Sequence, residues 1–292
     1  MIDPVVLRGR DRYERAIEGW VDNTHADAFT HTVRLEDDDL GVELSAVATP
    51  SPSYEIREAR YRLHPAAAGA LAPLPALAGA RMVAGFTRRA GEAVAELAGA
   101  DHLVDAAIEI ARLARQVTKL PPERAARATA GPWECWQLDT TGWIDLPNSC
   151  FAYSDAGRAL FATREVTTPM VPDLYSPPPG ACRVFVRRKV ARLERRGARL
   201  ALFNSMYDNV HGFELRYEVD LGAGVIVAAE SRTPRLPYLG ICTEPQARIA
   251  SLVGQAVDPD LRKRMQALIG GSSGCAQLYD LTADLLRLLR LY

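Results

Sequence analysis

The chain has 292 residues, which is long enough for two domains of ordinary size or one large one. About half of the residues are hydrophobic (48%) and a quarter are charged (24%), the profile of a soluble globular protein. The formal net charge of −1 argues against a dedicated nucleic-acid-binding protein, because such proteins carry a basic excess. No apolar run approaches the roughly 20 residues that span a bilayer, and the N-terminal segment is charged where a signal peptide is apolar. We therefore expect a cytoplasmic protein without a membrane partner.

The cysteine pattern predicts neither a zinc site nor a disulfide framework. The five cysteines are widely spaced and include no CxxC pair, so we interpret them as ordinary thiols. The sequence also lacks GxGxxG after a strand, a P-loop, HExxH, GxSxG and a tight cluster of metal-ligating residues. We expect no cofactor and no metal.

Three segments follow one another along the chain. Residues 1–118 are predicted to form a first α+β module, in which Leu103, Ile110 and Leu113 mark a helical face. Residues 119–180 form a Trp- and Pro-rich connector. Its three tryptophans carry too much apolar surface for a free linker, so we expect them to be buried and at least one to line a pocket: Trp133, Trp136 and Trp143.

Residues 181–292 are predicted to form a second α+β module. A basic β-hairpin turns near Arg196–Gly197, and the alternation that begins at Phe213 indicates a half-buried strand. Downstream the period becomes helical, and Leu278 begins a last helix. Arg188 belongs to a stripe of basic side chains on this hairpin. The stripe is suited to binding an anionic ligand. Alternatively, its charge protects a solvated edge strand against aggregation.

Two blocks of sequence recur in both modules. Asp-Asn-x-His occurs at Asp22 and at Asp208, and from Phe29 and Phe213 both segments run without a gap to Thr-Pro. A second block pairs Leu77–Asp105 with Leu252–Asp280. The recurrence predicts a tandem duplication, with two antiparallel β-meanders, each followed by helices, related by a pseudo-twofold axis.

The closing segments resemble a bacterial family of unknown function. The segments ICTEPQARIASLVGQ and IGGSSGCAQLYDLTADLLRLL look like the end of domain-of-unknown-function family 2889, and the pattern is split between the modules. His102 stands in one module where Gln277 stands in the other, and Cys275 stands opposite Ala100. The resemblance implies a bacterial origin and the α+β module, and it implies no mechanism.

The repeated Asp-Asn-x-His segments are the strongest candidates for acid/base chemistry. An imidazole can exchange protons near neutrality, and a nearby carboxylate fixes its tautomer. We predict His211 as the base, Asp208 as its orienting group and Tyr207 as an auxiliary donor, with His25 and Asp22 as the weaker pair. The alternative interpretation is that the aspartate and asparagine only cap a turn, with the histidine packed beside it.

A cleft between the modules would place aromatic and amide groups around these histidines. The predicted substrate-binding residues are Asn209, Asn23, Trp133, Trp136, Trp143, Tyr238, Tyr54 and Arg188.

This set predicts a cofactor-independent lyase or isomerase acting on a small aromatic molecule. The specific hypothesis is retro-aldol cleavage of a C–C bond in a phenolic catabolic intermediate, for example with release of formaldehyde. The alternatives are a non-enzymatic protein that binds small aromatic or acyl ligands, and a nucleic-acid-binding protein that uses the basic hairpin. The sequence is also compatible with a homodimer.

Overall fold

A computed structural model describes residues 4–64 and 70–289, and the outer limits of the two predicted modules lie outside these ranges. The fold is α+β, built on one antiparallel sheet of nine strands in the order β5-β4-β3-β2-β1-β6-β7-β8-β9. Strands from both predicted modules thus share one sheet, joined through the pairing of β1 with β6. The strands are β1 (Arg12–Asp22), β2 (Phe29–Asp37), β3 (Gly41–Ala48), β4 (Ile56–His64), β5 (Ala72–Pro73), β6 (Phe185–Arg196), β7 (Arg199–Asp208), β8 (Gly212–Asp220) and β9 (Val225–Arg235).

Alternation of side chains along the strands gives the sheet one face that is covered by helices. In β8 the buried positions are Phe213, Leu215, Tyr217 and Val219, as the sequence pattern predicts. The predicted hairpin is also confirmed, because β6 ends at Arg196 and β7 begins at Arg199.

Two helices follow each meander, and the second helix of each pair packs on the same face of the sheet. In the first half these are α1 (Phe86–Val94) and α2 (Ala100–Leu113), and in the second half α7 (Leu261–Ile269) and α8 (Ala276–Leu288). Helix α2 packs on β1, β2 and β3, and α8 packs on β7 and β8. Gly19 permits this close approach, because a Cβ atom there would lie 2.7 Å from Leu113 Cδ1.

The connector folds into short helices. They are α3 (Pro122–Ala125), α4 (Pro132–Gly142), α5 (Asp155–Ala159) and α6 (Pro172–Tyr175), with 3-10 turns at Ala126–Ala130, Phe151–Tyr153 and Leu160–Ala162. Further 3-10 turns lie at Val5–Leu7, Pro75–Leu77, Glu244–Leu252 and Gly271–Ser273.

A buried ionic network ties the centre of the sheet to α2 and α8. Glu109 of α2 accepts from Lys189 Nζ at 2.8 Å and lies 3.3 Å from Arg187 Nη1, both on β6. Lys189 also reaches Asp284 of α8 at 2.5 Å. Arg112 of α2 spans to the same Asp284 at 2.8 Å. Because β6 lies between β1 and β7, its basic residues do not belong to an edge strand.

The strand order corrects one feature of the predicted duplication. Phe29 and Phe213 both lie in strands, but equating Asp22 with Asp208 equates β1 with β7. These strands run parallel to each other, and the meanders that follow them extend in opposite directions across the sheet. Helices α2 and α8 lie on the same face of the sheet. The arrangement that begins at β1 and the one that begins at β7 are therefore mirror images, and no rotation superposes them. The expected superposition of Asp22 on Asp208 is wrong.

We predict that Glu109→Gln destabilises the protein by about 3–5 kcal/mol, because it leaves buried cations without their carboxylate. Glu92→Gln is the matched control, since Glu92 lies on exposed α1 surface, 3.9 Å from Arg88. Its effect should be well under about 1 kcal/mol. Urea unfolding of both variants measures the difference, and equal free energies of unfolding would contradict the role given to the network.

Candidate functional site

The candidate site is a cavity of about 220 Å³ enclosed by the second half of the sheet, the start of α8 and the connector. The surface of its wall is mainly apolar, as is typical of small-molecule sites, and charged or amide side chains also line it: Arg112, Arg115, Gln116, Asp145, Gln277 and Asp280. The groups able to exchange a proton or form a hydrogen bond in this wall include Asp139, Trp143, Tyr153, Tyr175 and His211.

His211 lies in the tight loop between β7 and β8, held by Asp208. Oδ1 of Asp208 accepts from the backbone N–H of Val210 at 2.8 Å and of His211 at 2.6 Å. The same carboxylate lies 3.1 Å (Oδ1) and 3.2 Å (Oδ2) from His211 Nδ1. The aspartate therefore caps the turn, as the structural alternative predicts, and the same aspartate also positions the imidazole.

The Asp208 carboxylate is ionised. Burial alone would raise its pKa, but the charges of His211 and Arg187 and the hydrogen bonds hold that pKa well below its usual range. Arg187 donates to Oδ2 through Nε at 2.9 Å. An ionised partner at Nδ1 requires that nitrogen to carry the proton. In the described part of the chain no group hydrogen-bonds Nε2, so in the neutral ring its lone pair is free to act on a bound molecule.

Asp139 of α4 is the second titratable group in the cavity wall. Tyr153 donates to Oδ2 at 2.7 Å, Tyr175 donates to Oδ1 at 2.9 Å, and Tyr238 also donates to Oδ2. Burial raises the pKa of Asp139 to about 6, although the three tyrosine hydrogen bonds and the His211 charge lower it. Asp139 can therefore change protonation near neutral pH, facing the same cavity as His211.

Three cysteine thiols complete one side of the wall: Cys150, Cys242 and Cys275. Burial raises the pKa of Cys150 to about 12 and also raises the pKa of the other two thiols. They are protonated at neutral pH and act as apolar surface, because the thiolate is the nucleophilic form.

The structure gathers only part of the predicted site. His211 and Trp143 line the cavity, and Tyr238 acts indirectly through Asp139. Trp136 is partly buried and donates to the Ala152 carbonyl at 2.8 Å. Trp133 stacks on it but is 38% exposed, so the expected burial of all three connector tryptophans is wrong for Trp133.

Three other predicted residues of the second half lie away from the cavity wall. Tyr207 is 39% exposed and donates to Glu214 at 2.6 Å, since alternation along β7 turns it away from Asp208. Asn209 accepts from the backbone N–H of Val186 at 3.0 Å. Arg188 has a 74% exposed side chain and pairs with Glu18 at 3.2 Å.

The first Asp-Asn-x-His segment has structural contacts of its own. Asp22 accepts from the Arg183 backbone at 2.6 Å, and Asn23 donates to the Pro177 carbonyl at 2.8 Å, which ties the connector to the sheet. His25 is exposed. None of the three lines the cavity of His211. Tyr54 is buried and donates at 2.8 Å to Asp145, which does line it.

Sequence reasoning missed Asp139, Tyr153 and Tyr175. A signal was available for Asp139, because the segment WECWQLDTTGW is helical and places Cys135 and Asp139 one turn apart on a buried face. A carboxylate on such a face requires partners. The tyrosines carry no local signal, since they reach Asp139 from separate turns of the connector.

A second Arg–Asp–His cluster lies in the first half of the chain. Arg15 pairs with Asp37 at 3.2 Å, and His102 Nε2 lies 2.6 Å from the same carboxylate. These residues line a different, more open cavity. They resemble Arg187, Asp208 and His211 in type, but no connector residue lines this second cavity.

Comparison with known families gives one match. Residues 199–289 match a family described as "Protein of unknown function (DUF2889)", in agreement with the resemblance inferred for the second module. No curated protein and no solved structure matches the chain.

Two further findings bear on the expectations drawn from the sequence. Within residues 4–64 and 70–289, no helix combines the length and apolarity needed to cross a membrane. The same residues contain no group of three or more His, Cys, Asp and Glu side chains arranged to hold a metal ion.

The raised pKa of Asp139 predicts a pH-dependent contribution to stability. Because the folded state binds this proton more tightly than the unfolded state, the contribution is present in acid and is lost as pH rises through about 6. The stability of the wild type relative to Asp139→Asn should therefore fall by about 3 kcal/mol between pH 3.5 and pH 7.

Urea unfolding of both proteins across this range measures the difference between them. The subtraction removes the opposite contributions of Asp208 and Asp284, whose pKa values are lowered. A relative stability that rises with pH would mean that the tyrosines hold Asp139 ionised.

Proposed function

We propose that the protein is a cofactor-independent acid/base enzyme, a lyase that cleaves a C–C bond in an apolar phenolic or aromatic catabolic intermediate. The observation that carries the proposal is the placement of His211 and Asp139 in the wall of one apolar cavity. His211 has an ionised carboxylate on Nδ1 and a free Nε2, and the pKa of Asp139 is about 6. A base and an acid with such properties are what proton transfer near neutral pH requires.

The size of the cavity supports a substrate with one aromatic ring. At about 220 Å³ it exceeds the roughly 150 Å³ of an apolar cavity that holds benzene. It is smaller than the roughly 300–1,000 Å³ of sites for drug-sized ligands. Tyr175 and Trp143, with ring centroids 5.9 Å apart in an edge-to-face arrangement, supply aromatic wall.

The proposed reaction is a retro-aldol cleavage. His211 Nε2 accepts the proton of a side-chain hydroxyl, and the O–H electron pair becomes the second bond of a carbonyl. The adjacent C–C bond breaks, and its electron pair passes to a carbon that is conjugated with the ring. Protonated Asp139, directly or through Tyr153 or Tyr175, then protonates that carbon. The products are an aldehyde (formaldehyde when the hydroxyl carbon is terminal) and the shortened aromatic compound, and solvent restores both protonation states.

We also propose that the chain arose by duplication, with strand β1 equivalent to β6, β2 to β7, β3 to β8 and β4 to β9. A twofold axis normal to the sheet, between β1 and β6, then relates the halves without reversing the helix layer. Contacts repeat accordingly: Arg112 of α2 reaches Asp280 of α8 at 3.2 Å, and Arg287 of α8 reaches Asp105 of α2 at 2.7 Å. In this register Arg15 and Asp37 correspond to Arg187 and Asp208.

The basic hairpin gives less support to a nucleic-acid partner. Its exposed arginines have acidic neighbours, with Arg192 at 2.8 Å from Glu14 and Arg196 at 2.7 Å from Glu194. Pairing of this kind removes the uncompensated positive charge on which phosphate binding depends.

We predict that His211→Asn lowers the rate of aldehyde release by about 10²–10⁴-fold, because it removes the general base. Aldehyde trapping with a panel of single-ring phenols that carry a hydroxylated side chain measures the rate. His102→Asn is the matched control, since it breaks a similar Asp–His pair at the other cavity, and His25→Ala removes the exposed histidine. Both should retain wild-type rates.

Circular dichroism melting checks that the variants are folded. Equal, small losses in all three variants would exclude His211 as the base. Tight binding of the same compounds without aldehyde release from the wild type would instead identify a binding protein for small aromatic ligands.

A further inference from the structure

Trp143 carries a buried hydrogen-bond donor that has no acceptor. Its side chain is 3% exposed, and Nε1 is bonded to no group in the described ranges. Two other indoles are satisfied: Trp20 donates to Asp22 at 3.1 Å and Trp136 donates to Ala152 at 2.8 Å. A buried donor without a partner costs about 1–3 kcal/mol, so an acceptor on a bound molecule would stabilise this site.

The position of Trp143 connects this donor with the candidate site. The residue follows the last turn of α4, where its backbone N–H donates to the Asp139 carbonyl at 3.2 Å. Its ring contacts Tyr175, which in turn holds the Asp139 carboxylate. Trp143 lines the same cavity as His211, so its indole is fixed relative to both proton-transferring groups.

We infer that Trp143 Nε1 donates a hydrogen bond to an oxygen atom on the ring of the bound aromatic molecule. The inference rests on the proposed function only in using the same cavity as the substrate site. An indole N–H is a donor and never an acceptor, so it selects a phenolic oxygen and gains nothing from an unsubstituted ring. Other donors line the same cavity, among them Arg115 and Gln277, and Trp143 Nε1 differs from Arg115 in having no acceptor of its own, since Arg115 already donates to Asp145 at 2.5 Å.

This hydrogen bond makes Trp143 a specificity-determining residue. A molecule that lacks the oxygen leaves the indole N–H unpaired, whereas a phenol satisfies it. Sites built around a buried polar group discriminate in this way against analogues that lack its partner. The same bond would hold the ring in one orientation within the cavity that His211 also lines.

The test measures binding of phenol and of benzene, with no turnover involved. Calorimetric titration should show that Trp143→Phe weakens phenol binding by about tenfold, the loss of one hydrogen bond of about 1.4 kcal/mol. Benzene should bind the variant and the wild type equally. Trp20→Phe is the matched control, because its indole donor is already satisfied by Asp22 on the other face of the sheet, and it should bind phenol like the wild type.

A second measurement covers the case in which Trp143→Phe fails to fold. In wild-type protein labelled with ¹⁵N-tryptophan, saturating phenol should move the Trp143 indole proton downfield and leave that of Trp20 in place. An unmoved Trp143 signal, equal phenol affinity in Trp143→Phe, or no phenol binding at all would overturn the inference. Phenol binding through Trp143 without aldehyde release from any substrate would contradict the lyase and leave the inference standing.

Discussion

The buried ion pair between Arg187 and Asp208 is the interaction on which both the fold and the site depend. Arg187 lies on β6, at the centre of the sheet, and its guanidinium also contacts Glu109 of α2. Its other partner, Asp208, ends β7 and fixes the loop that carries His211. The contacts that dock a helix on the sheet therefore share an arginine with the contacts that orient the imidazole. Breaking a buried pair of this kind is costly, because the remaining charge is left without compensation.

The connector supplies the other half of the site. It covers one side of the cavity and contributes Asp139, Trp143, Tyr153 and Tyr175, so that a buried carboxylate and the buried His211 line the same cavity. Low solvent access raises the pKa of Asp139 and strengthens the electrostatic interactions inside the cavity. The cavity around His102 has a comparable Asp–His pair but no such cover. The difference between the two cavities therefore lies in the connector.

Local patterns in the sequence predicted the elements well. The alternation from Phe213, the hairpin at Gly197 and the last helix from Leu278 all depend on neighbouring residues, and all are present. Asp208 and His211 were accessible for the same reason, because they are three residues apart in one turn. Features that depend on strand order were not accessible. The two similar Asp-Asn-x-His segments suggest that β1 is equivalent to β7, and the strand order contradicts this. A short motif does not determine the direction in which the following strands extend across the sheet.

The hydrogen-bonded role of Asp139 could not be predicted from the residues that neighbour it in the sequence. Its three tyrosine partners come from positions 153, 175 and 238, and only the folded connector brings them together. Arg187 illustrates the same limit, since a run of basic residues on a strand resembles a solvated edge. Its burial follows from the pairing of β6 with both β1 and β7, which joins residues far apart in the chain.

In the proposed mechanism, Asp208 fixes His211 with its proton on Nδ1, leaving Nε2 as the base. The ¹⁵N chemical shifts of the imidazole ring report this tautomer directly, and the His211 signals can be assigned by comparison with His211→Asn. At a pH where the ring is neutral, we expect a protonated Nδ1 and an unprotonated Nε2, and we expect Asp208→Asn to disturb this tautomer. A wild-type ring with its proton on Nε2 would contradict this mechanism, because that nitrogen could not accept a proton from a substrate.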